Sequence, residues 1–168
     1  NDNVTTIFYP AGYNNVISVA STTTNDAKSG FSNYGSWVDI SAPGSAIRST
    51  YFTGNYTPSY ADLQGTSMAS PMVAGLCGLV KSVNPQMTQT QIENCVLTTA
   101  SNINSVNGSY IGQLGSGRIN AYQAVLCAQT TVNAPPIAVI NATNTVKCPG
   151  GNVQFFGSSI GGLPTSYQ

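Results

Sequence analysis

From Gln64 to Gly75 the chain reads QGTSMASPMVAG, and the chemistry of this stretch centres on Ser67. A serine at the mouth of a helix sits beside backbone N–H groups that lack an intrahelical partner and beside the positive end of the helix dipole. Such groups hold the oxyanion that forms when a hydroxyl attacks a carbonyl carbon. Gly65, just ahead, lets the backbone and a substrate come close together. The same serine has a purely structural reading as the N-cap of the helix. Serine attack also needs a general base for the hydroxyl proton. The residue type most often used for that is histidine, and the chain contains none.

The surrounding elements must hold this serine in place. The pattern predicts a helix from Ser67 to about Val83, with Met72, Val73, Leu76, Leu79, Val80 and Val83 bulky and Ala69, Ala74, Gly75 and Gly78 small. A helix apolar nearly all round is expected to be buried. Pro71 falls in its first turns, where a missing N–H costs least. A second helix starts at Thr88, with Gln91 three residues on in a capping-box pattern and Ile92, Cys95 and Val96 as its buried stripe. A third is capped by Asn120 and turns Ala121, Ala124 and Val125 inward. Upstream, NVISVAS (15–21) and WVDISAPG (37–44) read as short strands ended by turn signals. The segment between them reads as a polar surface loop, and the aromatic stretch from 49 to 60 as an irregular connection. Strands followed by helices around one buried helix predict an α/β fold, a helix-covered sheet.

Composition narrows the class. Of 168 residues, 41% are hydrophobic and only 6% charged, with zero net charge. So uncharged a surface favours an extracellular protein. Nucleic acid is excluded as a partner because no basic cluster exists to meet phosphate. No apolar run reaches the length of a membrane span. Four cysteines, at 77, 95, 127 and 148, allow three pairings of two disulfides. Cys95 and Cys127, on the two C-terminal helices, are able to pair, whereas Cys77 reads as a small free hydrophobe. Residues 130–136 read as a linker. The β-like runs of 137–168 resemble the first strands of an immunoglobulin-like sandwich, but about a hundred residues are needed to complete one. The chain therefore reads as a window on something longer.

The Ser67 segment does not match the Gly-x-Ser-x-Gly elbow of the α/β-hydrolases, because Ala69 stands at the fifth position. GTSMASP followed by VAG instead resembles the nucleophile signature of the subtilisin-like serine proteases. Three further segments agree in order and spacing: YPAGYNNVISVAS (9–21), KSGFSNYGSWVDISAPG (28–44) and GSGRINAYQAV (115–125). The resemblance covers roughly residues 1 to 127. It implies residues 1–129 as the C-terminal part of a subtilisin-like, three-layer α/β protease domain. After the 130–136 linker, it implies that 137–168 open an immunoglobulin-like module of the polycystic-kidney-disease type.

In that family the acid and base precede the serine in the order Asp, His, Ser. The resemblance thus implies a serine endopeptidase whose base lies upstream of this window, so that the chain alone is inactive. A catalytically dead scaffold and a secreted binding or adhesion module are the competing classes. By the same resemblance Ser67 is the nucleophile and Asn1 an oxyanion-hole donor. Gly65, Thr66 and Phe8 are expected to meet substrate, with Phe8 flooring the specificity pocket. Catalysis requires no cofactor. Carbonyls near Ala11, Tyr13 and Val16, with Asp39, form a candidate weak site for calcium or a monovalent cation. One departure is Met72, where relatives carry a histidine that is not the catalytic base. The implied protein is a secreted or cell-surface monomer acting on protein or peptide substrates.

Overall fold

The computed structural model describes residues 2–54 and 57–131, and the backbone of 137–142 and 155–160. It divides into two compact units, Asn1–Thr130 and Thr131–Gln168.

The first unit is organised on a parallel strand pair, β1 (Val19–Thr22) and β2 (Ile40–Pro43), registered from Val19↔Ile40 to Thr22↔Pro43. Helix α1 (Thr66–Val83) lies against both strands and also packs on α2 (Gln89–Thr98) and α3 (Ala121–Thr130). Ala69, Val73, Leu76 and Val80 form its buried stripe at helical spacing. They join Ile40, Ala42, Met87, Val96, Ala124 and Ala128 in one core. The expectation that α1 is buried all round is corrected: Met72 is 39% and Leu79 45% exposed. At 3.6 residues per turn both flank the buried stripe rather than belong to it.

The helix starts read from sequence are seen in the structure. Gln91 N–H donates to Thr88 Oγ1 at 3.3 Å and Thr88 N–H to Gln91 Oε1 at 2.8 Å, a complete capping box. Gln123 N–H donates to Asn120 Oδ1 at 3.1 Å, capping α3. Ala124 faces inward as expected, but Ala121 is exposed and Ala128 is buried in its place. A Cys95–Cys127 disulfide with Cα atoms 5.6 Å apart ties α3 to α2. It fixes an inward face that Ala121 lies outside. Cys77 is a free thiol, and Cys148 lies outside the described residues.

Two segments differ from expectation. Residues 47–53 and 57–63 are not irregular but two antiparallel paired strands, β3 (Ile47–Thr53) and β4 (Thr57–Leu63). Their Tyr51, Phe52 and Tyr60 are all exposed, so no one-sided apolar alternation marks them in the sequence. The β1–β2 connection is not simply a surface loop either, because Ser29 and Ser32 within it are fully buried. Its anchor is Lys28, whose Nζ donates to Asn3 Oδ1 at 2.7 Å, Ser29 O at 3.0 Å and Ser32 O at 2.9 Å. The ammonium also lies 5.0 Å from the ring centroids of both Tyr34 and Tyr110. Burial lowers its pKa below the ordinary lysine range, and the three oxygens and two ring faces stabilise the charge it carries. Lys28→Met is expected to lower stability by about 1–2 kcal/mol, a figure kept small by partial exposure. Urea unfolding with an unchanged m-value checks this.

In the second unit, β5 (Ile137–Ala142) pairs antiparallel with β6 (Phe155–Ile160), from Ile137↔Ile160 to Ala142↔Phe155.

Candidate active site

The position of Ser67 is set by two glycines. Just past β2, Gly44 N–H donates to Thr22 O at 3.0 Å, and Gly44 O accepts from Gly65 N–H at 2.8 Å. Gly65 in turn accepts through its carbonyl from Met68 N–H at 3.0 Å and Ala69 N–H at 3.4 Å, which starts α1. Its φ of +152° with ψ of 160° is a conformation almost confined to glycine. The two backbones touch closely enough that a Cβ on Gly44 would stand 2.6 Å from Gly65 O. Gly44→Ala is therefore expected to cost about 2 kcal/mol through overpacking, seen as a lower unfolding midpoint.

This arrangement settles the capping question. Gly65 is the N-cap and no side chain caps the helix, so Ser67 occupies the second helical position rather than the cap. Ser67 is exposed. Neither its hydroxyl nor its backbone N–H has a hydrogen-bond partner among the described residues. The first turn of this 18-residue helix carries no acidic residue, so nothing local offsets the positive end of its dipole. Ser67 opens onto a cavity of about 580 Å³. Thr66, Ser70 and Pro71 line it from α1, and Pro10, Ala11 and Val16 from the facing loop. Sequence reasoning passed over Ser70 and Pro10. Ser70 was findable, three residues on from Ser67 and on the same helix face.

The other expected site residues divide. Gly65 and Thr66 are adjacent to Ser67 at the helix mouth, whereas Asn1 lies outside the described residues. Phe8 is 45% exposed and does not line the Ser67 cavity. Of the candidate cation ligands, Ala11 and Val16 line that cavity. Tyr13 O accepts from Val16 N–H at 3.3 Å, and the Tyr13 ring packs 4.6 Å from that of Tyr9. Asp39 does not line the cavity. Its Oδ2 accepts from Ser18 N–H at 2.7 Å, with Ser18 Oγ 2.6 Å away. Calcium takes about six to eight oxygens. This set brings three backbone carbonyls and one carboxylate, whose Oδ2 is engaged by Ser18. Cys77 is no rival nucleophile, because burial raises its thiol pKa and so disfavours the reactive thiolate.

Comparison with known proteins places this geometry. An extracellular protease of Xanthomonas campestris pv. campestris is 39% identical over 165 residues, 85% of this chain and 28% of its own length. Thermitase of Thermoactinomyces vulgaris is 50% identical over 117 residues, 70% of this chain and 38% of its own. Subtilisin BL of Lederbergia lenta is 43% identical over 124 residues, 74% of this chain and 43% of its own. The chain thus spans less than half the length of these curated relatives. Among solved structures, a protease from Pseudoalteromonas arctica superposes with a TM-score of 0.68 at 34% identity, over 76% of this chain and 40% of its own. The family model for subtilases matches residues 1–129, and the chain belongs to the subtilase family.

Proposed function

We propose that the complete protein is a secreted serine endopeptidase in which Ser67 is the nucleophile. Ser67 Oγ bonds to the carbonyl carbon of a peptide as its proton passes to a base. The tetrahedral intermediate collapses, the amine leaves with that proton, and water then hydrolyses the acyl ester. The Ser67 N–H holds the oxyanion, with the Asn1 side-chain amide as its partner. The base and the acid that orients it come from sequence preceding Asn1, in keeping with relatives more than twice the length matched here. The observation that carries the reading is the exposed Ser67, without a hydrogen-bond partner among the described residues, at the second position of a helix capped by glycine.

Secretion is supported by the Cys95–Cys127 disulfide, which persists in oxidising compartments, and by the relative named an extracellular protease. The substrates are protein or peptide chains. Residues 137–168 belong, on this reading, to an immunoglobulin-like module of the polycystic-kidney-disease type. The antiparallel β5–β6 pair supports that assignment. The test is hydrolysis of an unstructured protein such as casein by the purified complete protein. Cleavage abolished by a sulfonyl fluoride is expected. Folded protein that cleaves nothing, or cleavage indifferent to the reagent, contradicts the proposal.

A further inference from the structure

We propose that Ser21, Ser29 and Ser45 are positioning residues for Ser67, their hydroxyls closing a clamp on Gly44 that sets where α1 begins. This rests on the reading of Ser67 as the nucleophile. The three serines come from three segments: the end of β1, the β1–β2 connection and the turn after β2. Ser21 Oγ lies 2.8 Å from Ser29 Oγ, and Ser29 Oγ lies 2.8 Å from Ser45 Oγ. Ser29 N–H also donates to Ser21 O at 2.9 Å. Ser21 and Ser29 are fully buried, so each hydroxyl depends on the others for a partner.

The row closes on Gly44. Ser45 is the next residue in the chain and is tied back through Ser29 to Ser21. Ser21 itself lies against Gly44. A side chain on Gly44 would collide with Ser21 Oγ and come within 3.0 Å of Ser21 Cβ. The Ser21 side chain and the Gly65 carbonyl thus crowd the same side of Gly44 and leave no room there for a methyl group. Gly65 is pinned to Gly44 by its 2.8 Å hydrogen bond and starts the helix that carries Ser67. A shift of Gly44 thus passes directly to the nucleophile, and misplacing a reacting group by about 1 Å can cost about a hundredfold in rate. Ser32 supplies the contrast. It is equally buried, and its Oγ accepts from Ser21 N–H at 2.8 Å and donates to Asn33 O at 2.9 Å. It belongs to no part of the hydroxyl row.

The experiment compares the complete protein with its Ser45→Ala, Ser45→Thr and Ser32→Ala variants. Fluorophosphonate labelling rate, kcat and KM on one peptide, and Tm are measured for each. Ser45 is only half-buried, so its variants are expected to fold. Ser45→Ala is expected to lower the labelling rate and kcat about tenfold, with KM within about twofold. Threonine keeps the hydroxyl and is expected to restore both rates to within about threefold. Ser32→Ala is expected to lower Tm while leaving both rates near wild type. Wild-type rates in Ser45→Ala, or an equal fall in Ser32→Ala, would overturn the clamp alone. A wild-type protein that takes no label at all would overturn the nucleophile reading and the clamp with it.

Discussion

Ser67→Ala in the complete protein is expected to lower kcat on peptides by about 10⁶-fold, the size of loss known for removing the serine of such a triad in subtilisin itself. The size follows from what the residue does. Alanine removes the attacking oxygen, so no acyl ester forms and the base has no proton to take. The backbone N–H at position 67 remains, and with it part of the oxyanion site, which leaves a small residual rate over water. Stability is expected to change by less than about 0.5 kcal/mol. The hydroxyl is exposed, has no partner among the described residues, and does not cap α1. The combination discriminates. A serine that served as a helix cap would lose about 1 kcal/mol on the same change and little activity. Steady-state kinetics beside thermal unfolding of the same preparation reads both quantities.

The second large effect is on stability. Removing the Cys95–Cys127 disulfide as the double alanine variant is expected to cost about 4 kcal/mol. The bond closes a loop of 32 residues, and the chain-entropy relation gives a value of this order for such a loop. The location adds to the effect. Cys95 is in the core beside Val96, and α3 contributes Ala124 and Ala128 to the same cluster. Without the bond, the packing of α3 on α1 and α2 depends on small alanine side chains. A Tm lower by roughly 10 °C is expected by calorimetry, with a similar fall for the wild type under reductant. Activity at low temperature should persist, because neither cysteine lines the cavity at Ser67. A fall of less than about 2 °C would mean that the α2–α3 contact holds without its covalent tie.

Features governed by local chemistry were legible in the sequence. The Thr88–Gln91 capping box and the Asn120 cap depend on residues three apart and are present as read. The glycine-serine helix mouth was legible as a motif, and the family match over residues 1–129 agrees with the resemblance drawn from it. Features that depend on segments meeting in space were not. The cap reading of Ser67, kept beside the nucleophile reading, rests on serine being a common cap. Gly65 takes that place because Gly44 fixes its N–H and its φ of +152° excludes other residues. Ser29 and Ser32 looked like loop polarity, and their burial makes sense only once β1 and the turn after β2 supply hydroxyl and backbone partners. The β3–β4 pair escaped because its aromatic residues are exposed, so burial wrote no alternation into its sequence. The outward face of α1 was read as buried because composition reports how apolar a helix is, not which neighbours reach it.

The most direct test of the central claim is intact-mass analysis of the complete, folded protein after treatment with a fluorophosphonate, followed by peptide mapping. The account predicts one adduct per molecule, on the peptide containing Ser67, and none in the Ser67→Ala variant. A folded protein that carries no adduct, or an adduct on another residue that survives in the variant, would contradict it.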